Sequence, residues 1–436
     1  MNPVESAAMA VLDTLIQFTD QNPWKVASVP TLAEACRLSP CDADAAVVWL
    51  ESRGAVRALQ GADHPPFHYA GVALLPQGRN IYQELLARGV ATTSHPLSTL
   101  TEAGSHKIQS IHIKGLRGIQ DGELGELTPL VVLVGANGSG KSTVLDALLI
   151  GTAPVPAAAA AEVLTRRIGL PGSERWLLWK GPELGVASIQ VTRSDAFVRT
   201  TELHGDPDRQ QVVLAISDSK ADSDPKMIGN ANVQASEDGW HQSGIIPNDR
   251  LVSESRFVEP LVPTLTLPLH DAYSRAVAQG RIGEIQALMK AVAGAEQVLI
   301  LTERDRPVVF LVYPDYAVPA ALAGAGVWSL LEISLRLAMP AGSLALIEEP
   351  EAGQHPGVIW HTASVILAAV RRGVQVVLST HSLEFLDALV AEAHDDEELD
   401  LLSVYRLLLT GGELKKSRIP GREVAFVRAT IAEDLR

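Results

Sequence analysis

The sequence predicts a large α/β domain, a mixed sheet flanked by helices, preceded by a small α+β domain. Three apolar runs carry this prediction for the larger part: residues 130–134, residues 344–347 and the start of residues 373–390. Each run ends in polar residues, and helical segments follow residues 130–134 and 373–390. Buried strands followed by helices are typical of α/β domains.

The composition is that of an ordinary globular protein. Its 436 residues are 47 % hydrophobic and 20 % charged, and this length favours two or three domains. The net charge of −15 disfavours constitutive nucleic-acid binding, although a local basic face remains compatible with it. No apolar run reaches the ~18 residues of a membrane span, and the N-terminus lacks a basic leader. Cys36 and Cys41 have no partners typical of a metal site, so we expect reduced thiols in a cytoplasmic protein.

The strongest motif is the sequence GANGSGKST, which matches G-x-x-x-x-G-K-[ST] between a predicted strand and a predicted helix. Amides of such a loop surround a phosphate, the lysine reaches the β- and γ-phosphates, and the first hydroxyl ligates Mg²⁺. A chance glycine turn is the alternative, but the flanking strand and helix favour a site for ATP and Mg²⁺. The predicted nucleotide-binding residues are Gly135, Ala136, Asn137, Gly138, Ser139, Gly140, Lys141, Ser142 and Thr143.

Three glutamates follow the run at 344–347, in the sequence EEPE. We expect Glu348 to hold Mg²⁺ through water, together with the Ser142 hydroxyl. Because successive strand residues point to opposite faces, Glu349 should point elsewhere and orient or deprotonate the water that attacks the γ-phosphate. We expect Pro350 to end the strand. The alternative is that these acidic residues only stabilise the N-terminus of a following helix and have no role in catalysis.

A histidine follows the third apolar run, in the sequence VVLSTHS. His381 would lie at the same edge of the sheet as the phosphate loop and could donate a hydrogen bond to the γ-phosphate. Alone, such a histidine is more often an ordinary loop residue or helix cap. Here the histidine comes third along the chain, after the phosphate loop and the acidic strand, and this order favours a role for His381 in binding the γ-phosphate.

These motifs, together with the opening IKGLRGI, resemble the ABC-type ATPases of the OLD-like and SMC-like branch over residues 106–436. The resemblance implies an ABC-type P-loop ATPase domain that hydrolyses ATP to ADP and phosphate. It also implies a helix whose N-terminus binds the γ-phosphate on a partner subunit, and Gly324 and Gly326 are the candidates for it. This sequence departs from the family pattern at Ala323, where serine is common, and at Leu116, where no aromatic residue is available to stack on the base.

Other segments are predicted from pattern alone. Residues 176–203 contain two strand-like runs, and residues 204–248 are polar and turn-rich and are expected to be a mobile insertion. Residues 269–293 are predicted to be helical, and residues 296–315 are predicted to form a hairpin. No sustained heptads indicate a coiled-coil arm, and the 55 residues after His381 are too few for a Toprim nuclease. The acidic residues 394–402 are expected to be a solvated loop, so we predict no intrinsic nuclease.

Residues 1–90 resemble a winged helix-turn-helix domain, with helices at 5–20, 31–38 and 42–53, two strand-like runs around a loop, and a last helix at 76–89. If the domain binds DNA, the 42–53 helix would lie in the major groove. Residues 91–105 form a predicted linker. Six Lys/Arg against nine Asp/Glu within residues 1–90 disfavour phosphate contacts. We therefore place protein interaction or dimerisation slightly ahead of DNA binding for this domain.

Three functions are compatible with the sequence. The first is an ATP-driven switch that forms a homo-oligomer through ATP and regulates a separate effector protein; the family resemblance implies antiviral defence in bacteria. The second is an ATPase that scans or clamps duplex DNA. The third is a weakly hydrolysing scaffold, suggested by Ala323. No membrane partner is expected.

Overall fold

The computed structural model describes most of the chain, in two compact units. The described residues are 3–19, 26–36, 38–60, 69–75, 78, 81–82, 107–167, 174–179, 185–206, 211–220, 224–236, 239–244, 251–259, 268–304, 306–431 and 434–435. The units are Met1–Glu102 and Ala103–Arg436. The predicted linker at 91–105 lies outside the described residues, as does most of the helix expected near residues 76–89. Within the described parts, no helix combines the length and the apolarity that crossing a bilayer requires.

The first unit combines three helices with a small antiparallel sheet. Its elements are α1 (Pro3–Thr19), β1 (Val26–Ser28), α2 (Val29–Cys36), α3 (Pro40–Ser52), β2 (Val56–Gln60) and β3 (Tyr69–Leu74). The strand order is β1-β3-β2. Leu12, Leu32 and Leu50, one from each helix, are buried in its core. Ser39 caps α3, since its hydroxyl accepts a hydrogen bond from the Asp42 N–H at 3.2 Å. The three predicted helices are present, with bounds shifted by one to two residues at each end.

The second unit contains a large sheet and a separate three-stranded one. Its strands are β4 (Ile108–Leu116), β5 (Ile119–Leu124), β6 (Leu130–Val134), β7 (Val186–Arg193), β8 (Val198–Asp206), β9 (Gln211–Ser219), β10 (Lys226–Ser236), β11 (Gly239–Gly244), β12 (Ser255–Val258), β13 (Gln297–Glu303), β14 (Arg306–Val312), β15 (Ala317–Pro319), β16 (Leu344–Glu348), β17 (Gln375–Ser379), β18 (Leu402–Thr410) and β19 (Glu413–Pro420). The large sheet has the order β11-β10-β9-β8-β7-β4-β5-β19-β18-β6-β17-β16-β12, and β13-β14-β15 form the small sheet.

Nine helices accompany the strands of the second unit within the described residues, and β6 has helices packed on both of its faces. They are α4 (Lys141–Thr152), α5 (Pro156–Arg167), α6 (Leu269–Ala278), α7 (Ile282–Ala293), α8 (Ala325–Arg336), α9 (Pro356–Arg371), α10 (Leu383–Glu392), α11 (Asp396–Asp400) and α12 (Gly421–Ile431). Strand β6 is buried at every residue. Val131 and Leu133 pack with α4 on one face, and Val132 packs with α9 and α10 on the other. Burial on two faces explains why the strand reads as an unbroken apolar run rather than an alternating one.

Parallel pairing places the ends of the key strands at one edge. Strands β18, β17, β16 and β12 all run parallel to β6 or to one another. The carboxyl ends of β6, β16 and β17 therefore lie side by side, and that edge is where ligands bind in α/β sheets.

The prediction for residues 204–248 was wrong in one respect. Most of this segment is not a loop excursion: β9, β10 and β11 are hydrogen-bonded strands that extend the large sheet. The physical reason is alternation, because Val212, Leu214 and Ile216 are buried and form the inner face of β9. In β10 the polar Asn230, Asn232 and Gln234 alternate with the buried Ala231 and Val233, and such polar residues made the segment look like a loop.

Two other predictions from pattern are confirmed. Residues 296–315 contain the expected hairpin, β13 paired with β14. The helical stretch at 269–293 is also present, although it divides into α6 and α7 at Gly280, whose φ of +68° is unsuited to a continuing helix.

Candidate active site

The phosphate loop lies between β6 and α4, as the sequence predicts. Gly135 has φ +140°, and a Cβ there would lie 2.4 Å from the Leu407 carbonyl oxygen, so only glycine fits. Gly140 precedes α4 with φ +96°. Ala136, Asn137 and Gly138 are exposed, whereas Ser139 and Thr143 are buried. The loop therefore presents backbone to solvent beside the first turn of a helix, the arrangement that binds phosphate.

The Lys141 ammonium is bound by its own loop. Its Nζ donates to the Gly135 carbonyl oxygen at 2.8 Å and to that of Ala136 at 3.1 Å. Burial lowers the pKa of Lys141, while the nearby Glu349 and Glu348 carboxylates oppose that shift. A phosphate entering the loop would replace neutral carbonyl acceptors with a charged one, which forms the stronger hydrogen bond.

Ser142 and Glu348 meet directly, as the predicted magnesium ligands should. The Ser142 hydroxyl donates to Glu348 Oε1, although the two residues are 206 apart in sequence. Arg167, the last residue of α5, donates to Glu348 Oε2 at 2.6 Å. A hydroxyl and a carboxylate form the oxygen donor set that Mg²⁺ prefers, and an arginine on the carboxylate shows that this position favours a cation. The residues present therefore fit the ion.

Glu349 lies outside the strand, which corrects the reason given for its direction. Strand β16 ends at Glu348, so alternation along the strand does not aim the next side chain. Instead Glu349 adopts φ +47°, and its N–H donates to the Ser379 carbonyl oxygen at 3.0 Å. A left-handed conformation at a non-glycine residue costs roughly 1–2 kcal/mol and is often found at functional sites.

His381 lies beside Glu349, as the order of motifs predicts. The distance from His381 Nε2 to Glu349 Oε1 is 3.6 Å, and both side chains remain substantially exposed, at 36 % and 47 %. The pair is therefore accessible to a nucleotide and to water.

A buried aspartate organises three arginines next to this site. The carboxylate of Asp146, on α4, is completely buried and accepts hydrogen bonds from Arg117, Arg166 and Arg167. The Arg166 guanidinium also lies 3.4 Å from the centre of the Phe257 ring. Burial disfavours the charge of Arg167, but Asp146 and Glu348 together raise its pKa above the usual value. Arg166 and Arg167 are adjacent in sequence at the end of α5, but no nearby residue in the sequence indicated that Asp146 is the anion they bind.

Glu259 is a further acidic residue that the sequence analysis missed. It follows β12, whose parallel register pairs Val258 with Ile347, so Glu259 comes next to Glu348 at the sheet edge. Burial raises its pKa, and the charge of Glu348 acts in the same direction. The segment SRFVE ends, like LALIE, in two apolar residues and a glutamate, and this was the available signal.

Gly324 and Gly326 lie at the start of α8, as predicted. Gly324 is the N-cap residue, and Gly326 lies against Gln354 and Gly353 of the loop that follows the acidic motif. Gln354 ties that loop to α8 by donating to the Ser329 hydroxyl at 2.9 Å. The helix start is thus fixed to the acidic loop of its own chain. Binding of a partner's nucleotide by these glycines stays a prediction.

Comparisons with known proteins agree with this geometry. Residues 110–156, which include β6, the phosphate loop and α4, match the family model described as an AAA domain. The match thus covers the P-loop segment of the chain, which lies on a mixed sheet flanked by helices. No curated protein matches the chain.

The solved structures that show a likeness to this chain include three SMC head domains. An SMC head domain from Thermotoga maritima has 12 % identity and a TM-score of 0.36, covering 72 % of this chain and 98 % of that one. An SMC head bound to the C-winged helix domain of ScpA has 15 % identity and a TM-score of 0.41, covering 73 % and 99 %. An SMC head with an extended coiled coil, bound to the C-terminal domain of ScpA derived from Pyrococcus furiosus, has 12 % identity and a TM-score of 0.40, covering 75 % and 100 %.

Proposed function

We propose that this chain binds and hydrolyses ATP with Mg²⁺ and acts as an ABC-type, OLD-like nucleotide-driven switch. The observation that carries the proposal is the convergence of three strand ends. The phosphate loop follows β6, Glu348 ends β16 with Glu349 directly after it, and His381 follows β17. Residues separated by more than 200 positions thereby form one site of the kind that phosphoryl transfer requires.

Each residue has a distinct role. Lys141 exchanges the Gly135 and Ala136 carbonyls for phosphate oxygens and places its charge on the β- and γ-phosphates. Glu349 orients the attacking water and accepts its proton. His381, next to Glu349, donates a hydrogen bond to the γ-phosphate.

Ser142 and Glu348 would hold Mg²⁺. The ion would neutralise charge on the β- and γ-phosphate oxygens. For Glu348 this role requires a change of partner, because the Arg167 guanidinium now contacts one of its oxygens and the Ser142 hydroxyl the other.

We also propose that ATP joins two chains, with Gly324 and Gly326 of one completing the site of the other. The exposed start of α8 and its attachment to the acidic loop support this proposal. The cycle would then control a separate effector protein in the cytoplasm. Antiviral defence is the output implied by the resemblance to OLD-like ATPases.

The decisive experiment measures hydrolysis, nucleotide affinity and native mass in the same preparations. Lys141→Ala should abolish ATP binding. Glu349→Gln should bind ATP but hydrolyse it at least ~10²-fold more slowly, and it should gain mass with Mg-ATP. The exposed Glu384→Gln, on α10, is the matched control and should behave like the wild type. Normal ATP affinity in Lys141→Ala would refute the phosphate-loop assignment, and an unchanged native mass would refute the ATP-joined dimer.

For the first unit we propose a winged-helix module that contacts protein rather than DNA. Its element order and β1-β3-β2 sheet support the winged-helix assignment. The outer face of α3, the helix expected to enter a DNA groove, exposes Asp42, Val48 and Glu51. An acidic and apolar face repels phosphates and suits a protein partner. Salt-sensitive binding to duplex DNA, lost on mutation of α3, would overturn this proposal.

A further inference from the structure

Glu351, the third glutamate of the acidic motif, has no part in the roles described above. Its side chain does not face the phosphate loop in any contact of the described residues; it contacts the turn that carries His381. Oε1 accepts a hydrogen bond from the Thr380 hydroxyl at 2.6 Å and from the His381 N–H at 3.2 Å. The Thr380 hydroxyl in turn accepts from the Ser382 N–H at 2.9 Å. One carboxylate oxygen therefore fixes the turn through Thr380 and His381.

The other oxygen of Glu351 makes this arrangement costly. Oε2 is buried and has no hydrogen-bond partner among the described residues. Burial raises the pKa of Glu351, and the charge of Glu349 acts in the same direction. A buried acid with one unsatisfied oxygen destabilises the fold. The presence of Glu351 is therefore better explained by the turn that it positions than by a gain in folding stability.

The contacts of Glu351 complete a set of three hydrogen bonds between two loops. The first joins the Glu349 N–H to the Ser379 carbonyl, and Glu351 accepts the other two. Together they hold the segment after β16 against the segment after β17. His381 Nε2 and Glu349 Oε1 are consequently held 3.6 Å apart.

We propose that Glu351 is a positioning residue that holds the Thr380–His381 turn, so that His381 stays aligned with Glu349 during ATP hydrolysis. This inference rests on the proposed ATPase function. It predicts an effect on kcat rather than on KM, because the loop that binds the phosphates keeps all its own contacts when Glu351 is changed. It also predicts that Glu351 acts only through His381.

The test compares steady-state ATP hydrolysis by Glu351→Ala, Glu351→Gln, His381→Ala and the double variant Glu351→Ala/His381→Ala. Glu351→Ala should lower kcat about 10- to 100-fold, with KM within about twofold. Glu351→Gln keeps an acceptor oxygen for both donors and should stay within about fivefold of wild type, since hydrogen bonds to neutral acceptors are weaker. The double variant should be no slower than His381→Ala alone, within about threefold.

Amide hydrogen exchange of the peptide containing His381 provides a readout that does not need hydrolysis. Protection of that peptide should fall in Glu351→Ala and persist in Glu351→Gln, while the exposed Glu384→Ala control leaves it unchanged. Unchanged protection in Glu351→Ala, an additive loss of kcat in the double variant, or an unrescued Glu351→Gln would each overturn the proposal. A wild-type protein without ATPase activity would instead refute the proposed function, and exchange would still decide whether Glu351 holds the turn.

Discussion

Replacing Asp146 with asparagine should destabilise the larger unit strongly. Both carboxylate oxygens accept hydrogen bonds: Oδ1 from Arg166 at 2.9 Å and from Arg167 at 3.3 Å, and Oδ2 from Arg167 at 3.2 Å and from Arg117. Asparagine removes the charge, and in either orientation its amide group points donors at arginine donors. Three guanidinium groups then lose their shared, completely buried anion.

The expected loss is large enough to measure directly. Removing one partner of a buried ion pair costs about 3–5 kcal/mol. The larger unit has about 330 residues, so its unfolding entropy is roughly 0.7 kcal/mol per kelvin and Tm should fall by about 4–7 °C.

Differential scanning calorimetry of the full chain is the assay, following the transition of larger enthalpy, which belongs to the larger unit. Asp121→Asn is the matched control, because that carboxylate is 59 % exposed and pairs with His112 at 2.7 Å. The control should change stability by no more than about 0.5 kcal/mol. A Tm for Asp146→Asn within about 1 °C of the control would show that the arginines do not depend on Asp146.

Three further predictions concern the backbone and the titration of the site. Glu349→Gly should be about 0.5–1 kcal/mol more stable in urea than Glu349→Ala, since φ +47° suits glycine and both variants lack the carboxylate; equal stabilities would mean that the conformation stores no strain. Glu351 has a raised pKa, so the folded state binds its proton more tightly than the unfolded state. Stability should therefore decline as pH rises above about 4.5, the usual value. Melting curves from pH 4 to 8 should show that Glu351→Gln lacks this decline, and parallel curves would contradict the sign. Gly135→Ala should cost about 2 kcal/mol or more and abolish nucleotide binding, because its Cβ meets the Leu407 carbonyl. Gly138→Ala, which meets no atom within 4 Å, should fold and melt closer to wild type.

The sequence predicted the elements that its local patterns determine. The apolar run of β6, the phosphate loop and the start of α4 are contiguous, so their arrangement follows from neighbouring residues. Strands β16 and β17 were recognisable because burial on both faces leaves continuous apolar runs. We predicted that these strands lie close together because the polar residues at their ends are the types that one nucleotide site requires.

The parts that were missed depend on contacts between distant segments. Glu349 owes its direction to the Ser379 carbonyl, 30 residues away, and not to strand periodicity. In the sequence Asp146 is one acidic residue within a predicted helix. Its contacts with Arg117 and Arg166 exist only in the folded protein. Strands β9 to β11 are marked only by a weak alternation among polar residues, which composition alone assigns to a loop.

Helix α5 contacts both Glu348, at the end of β16, and the outermost strands of the large sheet. Its last residue, Arg167, contacts Glu348, while the body of the helix packs against β10 and β11 at the far edge. Twelve residues of helix form a stiff rod about 18 Å long. Exchanging Arg167 for a metal ion on Glu348 would remove one of the contacts at this end of the helix and leave those with Asp146. If binding at the proposed cation site changes this end of the helix, then by thermodynamic reciprocity a partner bound to the outermost strands would change how tightly that site holds its cation.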